Sequence, residues 1–284
     1  MLSVISSQAA PVPHAACAGR FPVAEAQGRV VRHEAVSNDY RLIELAVHGA
    51  PLDARPGQFF NLQCPTGPGE QPFLRRPMSI YGVDRTAGTL SFLYKVAGLG
   101  TRAISRLPVG GVLPVLGPLG QPFELKNGWR HLVLLARGVG LATLASLCEA
   151  ARERGIAVTA VLSARHRGAV IARERFEAAG ARVLEVLDED GSSEPERVRA
   201  LLSALHGDMP IDALFTCGSA RLTRLAQQFC GTHGIEGQVA LEQQMACGLG
   251  MCQCCVREFR VQGEIVHKRV CWEGPVFALQ EVVA

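Results

Sequence analysis

Four cysteines near the C-terminus restrict the chemistry of the whole chain. Residues 247–255 read Cys247-Gly-Leu-Gly-Met-Cys252-Gln-Cys-Cys255, and Cys271 follows after fifteen further residues. A Cys-x4-Cys-x2-Cys run with a distant fourth Cys is the plant-type spacing for a [2Fe–2S] cluster. Four thiolates hold two irons, so the expected metal ligands are Cys247, Cys252, Cys255 and Cys271. Gly248 and Gly250 let the backbone wrap closely round the inorganic sulfides. Such a centre moves one electron at a time, which leaves electron transfer or redox sensing as function classes. The alternatives are a zinc site or buried free thiols. Zinc knuckles usually come as two close pairs, and the second pair is missing here. Cys254 is a fifth thiol in the loop, but Cys252 and Cys255 keep the spacing without it.

Composition fits a folded redox protein and excludes other classes. The chain has 284 residues, enough for two or three domains, with 48% hydrophobic residues and 30 glycines. A formal charge of +3 with no long basic run argues against a nucleic-acid or membrane-surface partner. There is no uninterrupted apolar stretch of membrane-spanning length. Residues 1–22 are rich in Ala, Pro and Ser and lack the basic and apolar regions of a signal peptide. They read as part of a flexible extension, residues 1–25, that also carries Cys17. Ten cysteines in a chain this long, four of them cluster ligands, suit a reducing cytoplasm better than a disulfide framework.

Residues 26–126 read as an antiparallel β-barrel. Alternating runs such as 41–47, 58–63 and 89–95 are separated by Pro, Gly and Asp turns, with one helical segment at 101–107. Two places there carry chemistry. In Arg75-Arg76-Pro77-Met78-Ser79-Ile80, a forked guanidinium and a nearby hydroxyl can clamp a phosphate. In Lys95-Val-Ala-Gly-Leu-Gly100-Thr101, glycine permits close backbone approach and a helix start offers free N–H groups. Taken singly, an Arg-Pro dipeptide is more often a surface turn, and Gly-x-Gly-Thr is often only a helix start.

Residues 127–236 carry an α/β pattern. The apolar strand His131–Ala136 runs into Arg137-Gly138-Val-Gly140-Leu-Ala-Thr143, then an amphipathic helix, then the strand Ala157–Leu162. That is a βαβ unit with a Gly-x-Gly turn able to seat a dinucleotide pyrophosphate, although Thr143 replaces the third small residue. The alternative is a plain α/β domain without nucleotide. A later strand ends at Cys217-Gly218-Ser219, where open α/β sheets bind ligands. An ordinary buried thiol is the commoner fate of a residue such as Cys217. After the second strand stands Ser163-Ala-Arg-His-Arg167 where NAD enzymes place an acid, so the choice between NADH and NADPH stays open.

In this order the motifs resemble those of the electron-transfer subunits of class 1B dihydroorotate dehydrogenases, a branch of the ferredoxin–NADP reductase superfamily. The likeness runs from about residue 26 to the C-terminus. It is most specific in the stretch 241–255, Leu-Glu-Gln-Gln-Met-Ala-Cys-Gly-Leu-Gly-Met-Cys-Gln-Cys-Cys, and in 270–277, Val-Cys-Trp-Glu-Gly-Pro-Val-Phe. The resemblance implies an α+β multidomain protein: a flavin-binding antiparallel β-barrel, a Rossmann-like α/β nucleotide domain and a small [2Fe–2S] domain at 237–284. It assigns FAD binding to Arg76, Pro77, Met78, Ser79, Leu93, Tyr94, Lys95, Gly100 and Thr101. It assigns pyridine-nucleotide binding to Gly138, Gly140, Cys217 and Gly218, and likens 189–192, Glu-Asp-Gly-Ser, to a family turn. The departures are Arg137 for a glycine, Ser219 for a proline, Gln244 for an arginine and Cys254 for a glycine.

The resulting expectation is an oxidoreductase that moves electrons from NAD(P)H through FAD to the cluster, with no general acid or nucleophile among its residues. By the resemblance, its partner is an FMN-containing dihydroorotate dehydrogenase catalytic subunit, assembled as a heterotetramer for pyrimidine biosynthesis. The alternatives are a reductase subunit serving another oxidoreductase or a ferredoxin, and a non-enzymatic redox sensor. Trp272, beside the last ligand, reads either as an interface anchor or as a core side chain covering the cluster.

Overall fold

A curled antiparallel sheet holds the N-terminal part of the computed structural model, which describes residues 23–67 and 71–284; the extension read at 1–22 lies outside them. Its strands are β1 (Ala24–Ala35), β2 (Tyr40–Ala46), β3 (Phe59–Leu62), β4 (Arg76–Ser79), β5 (Gly82–Asp84), β6 (Thr89–Lys95) and β7 (Val112–Leu119), with helix α1 (Leu99–Ser105) between the last two. The spatial order is β4-β3-β7-β1-β2-β6-β5. The edge strands β4 and β5 are consecutive in sequence, so the sheet must curl to bring them together. Ile80 N–H donates to Gln58 O on one side and Tyr81 N–H to Ser91 O on the other, which closes the curl. This places Arg76–Ser79 across a cleft from Leu93–Lys95. Alternation drives Ile43, Leu45, Phe60, Phe92 and Val115 inward, and Phe60 and Phe92 meet edge to face at 5.6 Å.

The second unit is a sheet covered on both faces. It contains β8 (His131–Arg137), β9 (Ala157–Ala164), β10 (Arg182–Leu187), β11 (Ala213–Cys217) and β12 (Glu236–Ala240), parallel to one another. Helices α2 (Gly140–Glu153), α3 (Arg173–Ala178), α4 (Pro195–Asp208) and α5 (Ala220–His233) connect them. Because both faces are covered, β8 is an unbroken apolar run: Leu132 and Leu134 enter the core under α2, while Val133 and Leu135 enter the core under α4 and α5. The remaining strands are β13 (Val256–Val261), β14 (Glu264–Arg269) and β15 (Val276–Ala278). The first two form a hairpin beside the cysteine loop, and β15 returns antiparallel to β12 at the edge of the nucleotide sheet. The division at 236/237 therefore falls within β12, and the cysteine-bearing segment is stitched into its neighbour's sheet.

Arg175 of α3 joins the two larger units. Its guanidinium donates twice to Glu149 at 2.7 Å and lies 4.1 Å from the centre of the Tyr81 ring, next to Gly82. Arg175→Ala is expected to cost about 1–3 kcal/mol through the lost charge-assisted bonds and ring contact, read as a lower urea midpoint.

His131 is 1% exposed, with its ring nitrogens facing Met209 O at 3.2 Å and Thr159 Oγ1 at 3.0 Å. Burial lowers its pKa below 6.5, against the opposing carbonyls and Asp212. The fold thus favours the neutral ring, and the unfolded chain takes up the proton first as pH falls. Stability is expected to be fully present above about pH 6.5 and to decline below it. In His131→Gln the urea midpoint should fall less between about pH 7.5 and 5.5; an unchanged slope would refute this assignment.

Candidate functional site: a flavin cavity beside a cysteine loop

Between the curled sheet, α2 and the segment entering the cysteine loop lies a cavity of about 910 Å³. Arg76, Pro77, Met78 and Ser79 line one side, and Leu93, Tyr94, Lys95 and Thr101 another. Val139, Ala142 and Thr143 close it from the nucleotide unit, and residues 241–245 with Cys254 from the cysteine side. Eight of the nine residues assigned to FAD thus share one cavity. The ninth, Gly100, stands behind Arg76: a Cβ there would lie 2.6 Å from Arg76 Nε, so the missing side chain makes room for the guanidinium.

Not every assigned side chain offers its polar group to the cavity. Tyr94 Oη pairs with His33 Nε2 at 2.9 Å inside the barrel, and burial raises its pKa. Thr101 Oγ1 accepts from the N–H groups of Ala97 and Gly98 at 2.9 and 3.0 Å and so shapes the loop before α1. Arg75 is the residue the motif reading left unassigned. It lines the cavity, donates to Glu25 at 2.6 Å, and keeps a buried Nη1 with no hydrogen-bond partner among the described residues. A buried, unpaired guanidinium nitrogen in the wall of a cavity that Arg76 and Ser79 also line fits a pyrophosphate-bearing ligand.

The Gly138 turn lies beside this cavity. Gly138 has φ +59°, and a Cβ there would meet nothing nearer than Tyr40 Oη at 3.5 Å. Gly140 serves packing instead: its Cβ would lie 2.4 Å from the Cys217 carbonyl oxygen, so only glycine lets α2 start against the end of β11. Cys217 is wholly buried, and burial pushes its thiol up to about 12, which leaves it neutral. Gly218 has φ +136° and packs against the Arg137 backbone. Arg137 sends its side chain to Ser163 and Asp188 and so does not fill the glycine turn.

The cysteines meet in two pairs. Cys247 contacts Cys252, and Cys255 contacts Cys271. Among the described residues no three His, Cys, Asp or Glu side chains are grouped to hold a single metal ion. Backbone donors surround the sulfurs: Leu249 N–H reaches Cys247 Sγ at 3.3 Å, Gly250 N–H reaches Cys271 Sγ at 3.2 Å, and Cys271 N–H reaches Cys255 Sγ at 3.4 Å. Burial opposes ionisation of Cys247, but the N–H groups of Cys252 and Leu249 bring its thiol down to about 6. Two thiol pairs with N–H donors aimed at sulfur fit a two-iron cluster, one pair per iron.

Long-range contacts that spacing does not reveal hold this loop in place. Asn61 of β3, 2% exposed, donates to Cys247 O at 3.0 Å, and a Cβ on Gly248 would strike it at 2.3 Å. Arg269 donates to Gly250 O at 2.9 Å and is held by Glu273. Trp272 packs on Gly250, where an added Cβ would sit 2.9 Å from the ring, so it covers the loop. Cys254 is exposed and its thiol faces Gln244 O at 3.9 Å, outside both pairs.

A curled flavin sheet, a glycine turn at the C-terminal end of a central parallel strand and a paired-cysteine loop together define an iron–sulfur flavoprotein oxidoreductase of the ferredoxin-reductase type. Residues 27–123 match the oxidoreductase FAD-binding domain family, and residues 242–283 match the iron–sulfur cluster binding domain of dihydroorotate dehydrogenase B. The chain is 33% identical to the dihydroorotate dehydrogenase B (NAD(+)) electron transfer subunit of Desulforamulus reducens, over 81% of this chain and 87% of that protein. It is 33% identical to the like-named subunit of Bacillus caldolyticus, over 86% and 93%. Among solved structures, a chain of an NADH-dependent reduced ferredoxin-NADP oxidoreductase superposes with TM-score 0.73 at 27% identity, covering 89% of this chain and 88% of that one. The ferredoxin reductase of a carbazole 1,9a-dioxygenase shares the fold, with TM-score 0.62 at 19% identity over 76% and 68%. The chain belongs to the family of dihydroorotate dehydrogenase B electron transfer subunits. No described helix is long and apolar enough to cross a membrane.

Proposed function

We propose that this chain draws electrons from a reduced pyridine dinucleotide and passes them, through FAD and a [2Fe–2S] cluster, to an FMN-containing dihydroorotate dehydrogenase catalytic subunit in a cytoplasmic heterotetramer. The observation that carries the reading is the bond from Asn61 to Cys247: it ties the cysteine loop to β3, which pairs with the flavin-motif strand β4. Bound flavin takes an electron pair as hydride and yields electrons singly, which the cluster relays one at a time. Each group of residues has its part. Arg75, Arg76 and Ser79 hold the flavin pyrophosphate. Leu93 and Met78 supply apolar wall. Gly138 leaves the backbone open to the dinucleotide where the chain turns into α2. Cys247 and Cys252 hold one iron, and Cys255 and Cys271 the other. Cys217, beside the nicotinamide end in this reading, is kept neutral by burial, and burial also raises the pKa of the neighbouring Glu242 carboxyl.

The partner is the part to test directly. Mixing the holoprotein with an FMN-containing dihydroorotate dehydrogenase subunit should give a two-plus-two complex by sedimentation and NADH-driven reduction of orotate. A complex that forms without orotate reduction, or no complex at all, would favour the second reading, a reductase serving a ferredoxin. The 27% identity to the ferredoxin-NADP oxidoreductase chain supports that alternative.

A further inference from the structure

Arg137, where the family pattern has glycine, sits in surroundings built around it. The C-terminal ends of β8, β9 and β10 are adjacent, and they bring Arg137, Ser163 and Asp188 together. Arg137 Nη1 donates to Ser163 Oγ at 2.9 Å and to Asp188 Oδ1 at 3.0 Å, while Nη2 donates to Asp188 Oδ2 at 2.5 Å. Asp188 also accepts from the Ser193 hydroxyl, and Arg221, in the first turn of α5, lies 3.8 Å from it. Both carboxylate oxygens are therefore engaged. The guanidinium keeps its Nε–H and one Nη2–H free of these bonds, with the side chain 21% exposed. Arg165, one residue past β9, is exposed. At this strand-end corner Arg137 and Arg221 face Asp188, and Arg165 lies beside Glu189, whose N–H donates to the Arg165 carbonyl at 3.0 Å.

In dinucleotide folds an acid near the end of the groove binds the ribose hydroxyls of NAD and repels an added phosphate, whereas an arginine there accommodates the 2′-phosphate. Here the end of β9 carries Ser163 and, just past it, Arg165 in place of that acid, and the carboxylate across from it, Asp188 just past β10, is clasped by Arg137. We propose that Arg137 converts this corner into one that accepts the 2′-phosphate of NADPH as well as the bare ribose of NADH, by occupying Asp188 and leaving a net positive charge. Arg137 is a positioning residue for Asp188 and a direct donor to the phosphate through its remaining N–H groups. The inference rests on the reading that a pyridine dinucleotide crosses the Gly138 turn.

The test is calorimetric binding of NAD+ and NADP+ to the oxidised holoprotein, with 2′,5′-ADP as a probe of the phosphate corner alone. Wild type should bind both coenzymes and 2′,5′-ADP. Arg137→Gly should lower the NADP+-to-NAD+ affinity ratio by about ten- to a hundredfold, the loss expected for one charge-assisted contact. Arg137→Lys, which keeps the charge and the fold, should recover part of it. Asp188→Asn should raise the ratio. A wild type that binds NAD+ but neither NADP+ nor 2′,5′-ADP would overturn the proposal and leave the parent reading standing. An unchanged ratio in both Arg137 variants would do the same. Failure of wild type to bind any of the three would overturn both.

Discussion

Cys271→Ser is expected to remove the iron–sulfur centre and leave the flavin in place. Cys271 is 2% exposed, contacts Cys255, and receives the Gly250 N–H at 3.2 Å. Serine offers a poorly ionised hydroxyl where an iron needs a thiolate, and no other described thiol is close enough to replace it. Cys254, the fifth thiol of the loop, is turned to Gln244 O. The purified variant should lack the visible bands and the low-temperature EPR signal of a reduced [2Fe–2S] cluster. Flavin content should stay near wild type, because none of the four ligands lines the flavin cavity. Reduction of one-electron acceptors through the cluster should fall to background, while hydride transfer into the flavin persists. Cys254→Ser is the matched control and should keep the cluster. Loss of the cluster in Cys254→Ser with retention in Cys271→Ser would reverse the ligand assignment.

The second large effect is expected at Gly140. An alanine methyl there would sit 2.4 Å from the Cys217 carbonyl oxygen and 2.7 Å from its carbon. Both are backbone atoms of a central strand and cannot swing aside, so α2 must lift from β11. Gly140→Ala should cost about 3 kcal/mol, or roughly 6–12 °C in Tm for a chain of this size. The neighbouring glycine provides the contrast. At Gly138 the methyl has room, with Tyr40 Oη at 3.5 Å, and only the positive φ opposes it. Gly138→Ala should cost about 1–2 kcal/mol. Equal melting losses in the two variants would mean that the close approach of α2 to β11 is not what requires Gly140.

These cases show which features a sequence can disclose. The cysteine spacing was readable because one loop carries three of the four ligands. The curled sheet and the βαβ unit were readable because alternation and unbroken apolar runs are local signals. Contacts across the fold were not. Asn61 is 186 residues from the loop it anchors, and nothing in its own strand sets it apart from a surface amide. Arg137 read only as a departure from a glycine; its bond to Asp188 depends on β10 lying beside β9, an order that a string of strands does not state. Tyr94 and Thr101 line the cavity, yet alternation carries the tyrosine hydroxyl into the barrel and a local turn uses the threonine hydroxyl. The return of β15 to the nucleotide sheet was hidden for the same reason, since a three-residue strand carries too little pattern to be seen.

The most direct test of the central claim is an anaerobic titration of the holoprotein with NADH, with visible and EPR spectra recorded at each step. Bleaching of the flavin followed by the signal of a reduced [2Fe–2S] cluster is the predicted result, because the cavity and the cysteine loop share a wall. Flavin that bleaches while the cluster stays oxidised, in a sample whose cluster dithionite does reduce, would contradict the proposed route of electrons through this chain.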